Sequence, residues 1–306
     1  MSRRGGQRLF GWCWVVMGAT AVGAAMRRRA RRSRTAVDRR PAGPRPRAPG
    51  TYRLSVVVPA YHEANRIADT VARLKAALAV AEDGGPVEVV VVDDGSGDGT
   101  ADRARAAAAD QVLVLPANRG KGAAVRAGVL AARGRTIAFI DADLSYRPEQ
   151  LLKLLTEVEG GFDVVVGSRQ HAEATTDARG WRVRNLSSRV FNVLTLAILL
   201  GRYRDTQCGI KAFRSDVARL LFSRGHVDGF AFDVELFHLV EHYGLTLREV
   251  PVDLSDSDRS TVRLGPEAVR MLSDLWRMRR WARRGCYDRV EGCGAPMEAG
   301  ASRPVG

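Results

Sequence analysis

The chain contains little cysteine, and its four cysteines form no recognisable metal site. Cys13, Cys208, Cys286 and Cys293 make no C-x-x-C pair and no Cys/His cluster with the spacing of zinc ligands. This absence argues against a structural zinc module such as a zinc finger or zinc ribbon. The simplest expectation is four reduced thiols in a cytoplasmic protein.

The chain also lacks the glycine-rich loops that bind dinucleotides and nucleoside triphosphates. In a dinucleotide-binding fold, G-x-G-x-x-G follows the first strand, but the first predicted strand here is followed by the sequence PAYHE. The one glycine-rich turn, GSGDG, follows the second predicted strand and begins directly after Asp93 and Asp94, which would repel a pyrophosphate. The acidic residues of this turn do not complete a calcium loop. These absences argue against an NAD(P)-dependent oxidoreductase and against a P-loop nucleotidase.

Strong positive charge is missing from most of the chain, although the net charge is +14. Residues 1–50 hold 13 arginines and the single acid Asp38, so this segment carries +12 of the total. The remaining 256 residues are nearly neutral, with 35 basic and 33 acidic residues. A nucleic-acid-binding domain spreads its basic charge over a folded face. The distribution therefore argues against nucleic acid as a partner and favours a basic segment beside a membrane.

One uncharged stretch is barely long enough to span a bilayer. It runs for 18 residues from Leu9 to Met26, with three arginines before it and six soon after it, and a spanning helix needs roughly 20 apolar residues. A signal anchor, a cleaved signal peptide and an unstructured extension after a misplaced start are the three interpretations. Dense arginine directly after the apolar run opposes export. The pattern thus favours a single-pass anchor in the cell membrane that leaves the rest of the chain in the cytoplasm.

Composition divides the chain into five segments. Residues 1–34 are the hydrophobic segment with its arginine flanks, and residues 35–50, rich in proline and arginine, predict an extended linker that does not pack. Residues 51–265 are expected to form one catalytic domain. Residues 266–284 are expected to form a basic amphipathic helix, and residues 285–306 a disordered tail.

From residue 51 onward, predicted strands and helices alternate. Short runs of β-branched residues predict strands at Leu54–Pro59, Val87–Val92, Gln111–Leu115, Thr136–Ile140 and Asp163–Val166. Composition and apolar spacing predict helices at Ile67–Ala81, Thr100–Ala109, Lys121–Arg133 and Pro148–Val158. In the third helix, Val125, Val129 and Leu130 are expected to face inward. This alternation predicts an α/β fold with a mainly parallel, Rossmann-like sheet flanked by helices.

Acidic and small polar residues follow four of the predicted strands. They form the segments PAYHE at 59–63, DDGSGDGT at 93–100, DADL at 141–144 and GSR at 167–169. The carboxyl ends of parallel strands meet at one edge of a sheet, where open α/β sheets bind their ligands. We therefore expect a binding cleft at this edge. The segment DDGSGDGT also fits a helix-start turn capped by Asp98 or Thr100.

The most informative acidic residues in these segments are Asp141 and Asp143. Two carboxylates just beyond a buried strand are unfavourable unless their charge is compensated. A divalent cation would compensate it, and hard oxygen ligands favour Mg²⁺ or Mn²⁺ over zinc. The alternative is a pair that caps the following helix, although Pro148 already marks a helix start further along the chain.

The motifs, taken in order, resemble those of the family-2 glycosyltransferases with the GT-A fold. They are VVVPAYHE, VVDDGSGDGT, NRGKGAAVRAG, FIDADL, VVGSR and DTQCGIKAFR, and the resemblance runs from about Leu54 to about Arg270. It is greatest to the dolichyl- or polyprenyl-phosphate glucosyl- and mannosyltransferases. The resemblance implies transfer of a hexose from a nucleoside diphosphate sugar to a lipid phosphate, with inversion at the anomeric carbon and with Mg²⁺ or Mn²⁺ bound.

The resemblance also implies roles for individual residues. Those expected to bind the nucleotide sugar are Pro59, Ala60, Tyr61, Glu63, Asp94, Ser96, Lys121, Asp141 and Ala142. The expected metal ligands are Asp143, as the more direct one, and Asp141. The residues expected to act in catalysis are Asp141, Asp143, Arg169, Asp205 and Lys211. Those expected near the acceptor are Arg184, Ser188, Gln207, Asp233 and Glu235. The glycines of Asn118–Gly122 are expected to let the backbone approach the donor.

One departure from the family pattern bears on the donor sugar. Many mannosyltransferases of this kind have glutamine two residues after the second metal aspartate, where this chain has Ser145. The sequence DLS is more similar to the glucosyl branch, which favours UDP-glucose over GDP-mannose. It also argues against metal ligation at position 145.

Two further segments bear on a lipid acceptor. Leu186–Leu200 is mostly apolar but too short to span a bilayer, so it is either a buried helix or an interfacial one. In Pro266–Arg284, a stripe of Val269, Leu272, Trp276 and Trp281 lies beside several arginines. Such a stripe fits a helix lying on a membrane surface, a helix packed on the sheet, or both.

Two other functions remain open. A glycosyltransferase of the same fold could use a soluble or polysaccharide acceptor instead of a lipid. A catalytically inactive nucleotide-sugar-binding module is the third hypothesis. The presence of all four expected site residues argues against it, namely Asp94, Asp141, Asp143 and Arg169.

Overall fold

The computed structural model describes residues 45–169, 208–254 and 266–288. Strands β1–β7 are Tyr52–Ala60, Val87–Asp93, Gln111–Val114, Gly134–Ile140, Val164–Ser168, Ile210–Arg214 and Leu247–Pro251. Helices α1–α7 are Ile67–Leu78, Thr100–Ala106, Lys121–Ala131, Gln150–Glu159, Ser215–Arg224, Phe232–His242 and Pro266–Arg283. A 3₁₀ segment, Ala79–Gly84, follows α1. The predicted N-terminal anchor and the Leu186–Leu200 segment lie outside the described residues.

The described strands form one sheet with the order β3-β2-β1-β4-β6-β5-β7. Strands β1 to β4 pair in parallel, and β5 pairs in parallel with β7. Strand β6 runs antiparallel between β4 and β5, so the ends of β4 and β5 still point to the same edge. The prediction of a mainly parallel sheet is confirmed, but the reversed strand β6 was not predicted.

The core lies in two layers, one on each face of the sheet. Successive side chains of a strand point to opposite faces, so Val57 joins one layer while Val56 and Val58 join the other. Helices α3, α5, α6 and α7 cover the first face, and α1, α2 and α4 cover the second. The valine-rich runs in the sequence are therefore strands that are buried on both sides.

Helix α3 lies directly on the sheet, and this position corrects one prediction. Val125 and Val129 are fully buried, as expected, but Leu130 is 40% exposed because it is one position off their stripe. Gly128 lies against Val57 and Val92, so a side chain at this position would overlap the strands. Glycine here allows close packing of the helix on β1 and β2.

The last six residues of the predicted linker pack against the domain. Arg45 forms an ion pair with the buried carboxylate of Asp163. The carbonyl oxygens of Pro46 and Pro49 accept hydrogen bonds from Arg214 and Ser215. The expectation of an unpacked linker is wrong for residues 45–50. These contacts lie at the edge where β4 and β5 begin, opposite the strand ends that carry the acidic motifs.

The turn after α7 is also folded, which corrects the predicted start of the disordered tail. Cys286 and Tyr287 are almost fully buried, and the hydroxyl of Tyr287 donates to Glu235 at 2.8 Å. Cys286 is disulfide-bonded, so the expectation of four reduced thiols is wrong for this residue, whereas Cys208 is a buried thiol.

Helix α7 has a buried face and an exposed face. Leu275 and Met278 are fully buried, and Trp281 packs against the same core layer. Trp276 points away from them and is 63% exposed, so the two tryptophans do not share one stripe as predicted. The side chains of Val269 and Leu272 lie outside the described part. No helix within residues 45–169, 208–254 and 266–288 combines the length and apolarity needed to cross a bilayer.

Candidate active site

The turns after β1 and β2 are joined by hydrogen bonds. The amide of His62 donates to Ser96 Oγ at 2.9 Å, and the amide of Glu63 donates to Thr100 Oγ1 at 2.9 Å. Asp98 accepts hydrogen bonds from the amide and the hydroxyl of Thr100, the first residue of α2. The predicted helix-start turn is confirmed, but its cap residue is Gly99 without a side-chain cap hydrogen bond, so the assignment of the cap to Asp98 or Thr100 is wrong. The same contacts fix the PAYHE segment beside the second strand end.

The carboxylate of Asp94 binds a loop from elsewhere in the chain. This residue is buried, and its two oxygens accept from the amides of Arg119 and Gly120 at 2.9 and 2.8 Å. The loop thus begins helix α3 beside the end of β2. Any contact of Asp94 with a nucleoside would come in addition to this structural role.

The glycines of the same loop allow close contact with another protein segment. Gly120 has a φ of +108°, and a side chain there would lie 2.6 Å from the carbonyl oxygen of Asp228. A side chain at Gly122 would lie 2.6 Å from the carbonyl oxygen of Val227. The close approach seen here is therefore to the backbone before α6, whereas the sequence analysis attributed these glycines to the donor alone.

Lys121 and Asp141 form an ion pair at the carboxyl edge of the sheet. Lys121 begins α3, and its Nζ lies 2.5 Å from Asp141 Oδ1. Two residues further on, Asp143 accepts a hydrogen bond from the amide of Ser145 at 2.9 Å. Both carboxylates are half-buried. Lysine therefore supplies part of the charge compensation that the sequence analysis assigned to a metal.

A second, deeper ion pair continues this cluster. Lys211 of β6 lies 2.7 Å from Asp233 of α6 and also donates to the carbonyl oxygen of Cys208. Both side chains are almost fully buried. Burial lowers the pKa of Lys121, but the carboxylates of Asp141, Asp233 and Asp143 outweigh it and raise the pKa above its ordinary value, so Lys121 stays protonated.

Glu63 shows that the first strand end belongs to the same electrostatic environment. Burial raises the pKa of its carboxyl above the ordinary value, and Arg66 at 2.7 Å opposes the rise. The negative charges of Asp143, Asp98 and Asp141 add to the increase. The structure thus brings together carboxylates that follow β1, β2 and β4, as the shared edge of the sheet predicts.

The donor set of the DAD segment fits a hard divalent cation. Two half-buried carboxylates with i, i+2 spacing offer oxygen ligands, which Mg²⁺ and Mn²⁺ prefer. Within the described parts of the chain, no group of three or more acidic, histidine or cysteine side chains could hold a metal alone. Mg²⁺ commonly binds through one or two carboxylates and completes its coordination with water and substrate phosphates. Asp141 and Asp143 match that pattern.

The other predicted site residues have different surroundings. Pro59 and Ala60 end β1, Tyr61 is 46% exposed, and the carbonyl oxygen of Ala142 accepts from Thr70 Oγ1 at 2.6 Å. Arg169 is half-buried just after β5, on the edge shared by the acidic turns. The remaining predictions, Arg184, Ser188, Asp205 and Gln207, lie outside the described residues.

Glu235 does not join the carboxylate cluster. Its oxygens accept hydrogen bonds from the amides of His226 and Val227 and from the hydroxyl of Tyr287. Glu235 is buried, so its visible role is to hold the segment before α6 and the turn after α7. Its proposed place near the acceptor gains no support from these contacts.

Gly209 is a site residue to which the sequence analysis gave no role. A side chain at this position would overlap the carboxylate of Asp141, so glycine leaves the space that this carboxylate fills. The residue lies within the quoted motif DTQCGIKAFR, so the position could have been singled out. Its contact with a residue 68 positions earlier could not have been found from spacing.

Comparisons with known proteins show the family of the chain. The family model described as "Glycosyl transferase family 2" matches residues 55–222. The dolichyl-phosphate beta-glucosyltransferase of Drosophila melanogaster is 37% identical over 245 residues, which cover 75% of this chain and 74% of that protein. The enzyme of the same name from Homo sapiens is 32% identical and covers 74% of this chain and 78% of that protein.

A solved structure has the same fold. Glucosyl-3-phosphoglycerate synthase from Mycobacterium tuberculosis, crystallised with Mn²⁺, UDP and phosphoglyceric acid, matches with a TM-score of 0.56 and 26% identity. The match covers 74% of this chain and 78% of that one. It confirms the expected GT-A-like α/β fold.

Proposed function

The chain belongs to glycosyl transferase family 2, and from that membership we propose that it transfers glucose from a nucleoside diphosphate sugar to a dolichyl or polyprenyl phosphate. The observation that carries the proposal is the cluster of Lys121, Asp141 and Asp143 at the carboxyl edge of the sheet. The names of relatives at 37% and 32% identity support both the sugar and the acceptor.

UDP-glucose is the proposed donor, with GDP-mannose as the alternative. The structural relative with 26% identity was crystallised with UDP and Mn²⁺, which supports a uridine nucleotide and a divalent metal. Asp141 and Asp143 would hold that cation, which would neutralise charge developing on the leaving diphosphate. Pro59–Glu63 and Ser96 are proposed to border the nucleoside, because their turns are joined at the same edge.

The basic residues of the site are proposed to bind phosphate. Lys121 is protonated and lies beside the acidic pair, and Arg169 follows β5 at the same edge. Fixed positive charge there would stabilise the nucleoside diphosphate as it leaves. Lys211 is paired to Asp233 below the cluster, so we assign it a positioning role.

The acceptor phosphate would act as the nucleophile. A phosphate oxygen is already ionised at neutral pH, so no general base is needed to remove a proton from it. The oxygen would form a bond to the anomeric carbon as the bond to the diphosphate breaks. Direct displacement inverts the anomeric carbon, so an α-linked donor would give a β-linked glucosyl phosphate.

The exposed face of α7 supports a membrane-bound acceptor. Trp276 is 63% exposed and has the guanidinium of Arg280 over its ring at 5.8 Å. Arg279 and Arg283 are exposed on the same helix. Tryptophan and arginine together are typical of helices that lie at an anionic lipid surface.

A product assay tests the proposal. The purified full chain is incubated with Mn²⁺, a polyprenyl phosphate and a panel of UDP- and GDP-sugars, and the lipid product is identified by mass. We expect a hexosyl phosphate lipid from UDP-glucose. Transfer from GDP-mannose alone would overturn the donor assignment, and the absence of any lipid product would overturn the acceptor.

A soluble acceptor is the second candidate function. It is favoured by the structural relative crystallised with phosphoglyceric acid, a soluble phosphorylated acid. Deletion of residues 1–44 separates the two candidates, because it should reduce transfer to lipid in vesicles and leave transfer to a soluble acceptor unchanged. The deletion stops at residue 44 because residues 45–50 are part of the fold. An inactive sugar-binding module would show neither transfer nor donor hydrolysis.

A further inference from the structure

Lys121 occupies a position where its charge is unfavourable for the helix itself. It is the first residue of α3, and the first turn of a helix favours acidic rather than basic side chains. Gly120 precedes it with a left-handed backbone, and Asp94 fixes both Arg119 and Gly120 through their amides. The fold thus places a lysine at this helix start, and its benefit must come from its surroundings.

Those surroundings are the carboxylates that fit a metal. Lys121 Nζ lies 2.5 Å from Asp141 Oδ1, within direct ion-pair distance, and its side chain is only 18% exposed. The DAD segment offers two carboxylates, and no third acidic side chain completes the site within the described residues. The ammonium group therefore uses one of the few oxygens that a cation could bind.

We propose that Lys121 acts as the resident cation of Asp141, so that a divalent metal must displace its ammonium group to bind. The displaced ammonium would then pair with a phosphate of the nucleotide sugar. Metal alone would bind weakly, because it must break the existing ion pair. Metal and a nucleoside diphosphate would bind more tightly together, and by linkage each would raise the affinity for the other equally.

This inference rests on the proposed donor site and deepens it. An ion pair that competes with the metal keeps the cluster charge-balanced before substrate arrives. The competing ion pair would also favour metal binding together with a diphosphate over binding of the metal alone. Because Lys121 approaches from α3 and Asp141 from β4, the exchange needs only a movement of one flexible lysine side chain.

Binding of Mn²⁺ alone tests the inference directly. Isothermal titration compares the wild-type chain with Lys121→Met, which removes the charge and keeps much of the side-chain volume. We expect Mn²⁺ alone to bind Lys121→Met about tenfold more tightly, in the usual range of coupling between sites. UDP in the presence of Mn²⁺ should bind this variant more weakly, because a phosphate-binding charge is lost.

Two controls keep the outcomes distinct. Lys153→Met removes an exposed lysine from α4 and should leave the Mn²⁺ affinity unchanged. Lys121→Arg keeps the charge and should retain weak Mn²⁺ binding, and a melting curve for each variant checks folding. Equal Mn²⁺ affinity in wild type, Lys121→Met and Lys121→Arg would overturn the role of Lys121. If UDP with Mn²⁺ fails to bind even the wild type, the proposed function fails as well.

Discussion

The carboxylates at the strand ends differ in what already binds them. Asp94 accepts hydrogen bonds from two backbone amides, and Asp98 accepts one from the first amide of α2. Asp141 forms an ion pair with Lys121. Asp143 accepts a hydrogen bond from the backbone amide of Ser145. The acidic motifs are thus as much the framework of the site as its chemistry. A cation that binds Asp141 must displace the ammonium group of Lys121. The described contact of Asp143 is with a backbone amide, so a cation could bind there without displacing Lys121.

The half-buried side chain of His238 predicts how stability depends on pH. Burial, and then the positive charge of His242, lower the pKa of His238 from 6.5 to about 4 in the folded chain. Between these values the unfolded chain binds the proton more readily, so stability should fall as the pH falls from 6.5 to 4. One such group contributes at most about 1.4 kcal/mol per pH unit.

The measurement is urea unfolding of the wild type and of His238→Gln at several pH values in this window. The variant should lose less stability than the wild type on acidification. The control His62→Gln changes a histidine whose side chain is 52% exposed, and it should match the wild type. Equal slopes for all three proteins would contradict the assignment to His238.

Sequence reasoning found these site residues but could not find their partners. Asp141 and Asp143 were singled out because of their spacing after a buried strand. Their neighbours Lys121 and Gly209 lie 20 and 68 positions away in the chain, and only the order of the strands brings them close. The buried pair of Lys211 and Asp233 could not be predicted either, because in the sequence each residue is an isolated charge within an apolar run.

At the scale of elements, the predicted helices and strands were largely right. Three of the four predicted helices start at the predicted residue, although none of these starts has a side-chain cap hydrogen bond. The carboxyl ends were less accurate: α2 ends at Ala106 and not Ala109, and α1 gives way to a 3₁₀ segment. Strands β6 and β7 and helices α5 and α6 were not predicted, and both strands pair only with strands distant in sequence.

The packed end of the linker predicts that the folded domain begins at Arg45. A chain starting at Thr51 loses the ion pair of Arg45 with buried Asp163 and the contacts of Pro46 and Pro49, although Asp163 still accepts hydrogen bonds from Thr246. A hydrogen bond to a charged group contributes about 1.5–3 kcal/mol. We expect the chain from Thr51 to be less stable than the chain from Arg45 by this amount. Urea unfolding measures it, and equal midpoints and slopes would contradict the packing.

The exposed face of α7 predicts binding to an anionic lipid surface. Arg280→Gln should weaken binding to vesicles rich in anionic phospholipid by about fivefold, because one basic residue contributes about 1 kcal/mol there. Trp276→Ala should weaken it further by removing an exposed aromatic ring. Co-sedimentation measures both. The controls Arg105→Gln and Val80→Ala change exposed residues on other elements. If the α7 variants lose no more vesicle binding than these controls, α7 has no special role in membrane binding.

Across the whole molecule, the N-terminal contacts and the charged cluster lie at opposite edges of the sheet. The N-terminal segment joins the domain where β4 and β5 begin, through contacts with Asp163 and Ser215. The charged cluster lies at the opposite edge, where the parallel strands end. A lipid-bound acceptor would therefore bind at the edge of the sheet that lies opposite the N-terminal contacts. The near-neutral charge of the body agrees with a domain that holds small anionic substrates in one cluster.

The acidic pair after β4 is proposed to hold the cation for sugar transfer to a lipid phosphate. The most direct test measures transfer of labelled glucose from UDP-glucose to polyprenyl phosphate by the wild type and Asp143→Asn over a range of Mn²⁺ concentrations. Losing several kcal/mol of charge stabilisation should reduce turnover at least about 1000-fold, with an unchanged melting temperature. The control Asp102→Asn, at an acid whose side chain is 84% exposed, should keep full activity. Undiminished transfer by Asp143→Asn at saturating Mn²⁺ would show that the acidic pair does not hold a cation needed for transfer.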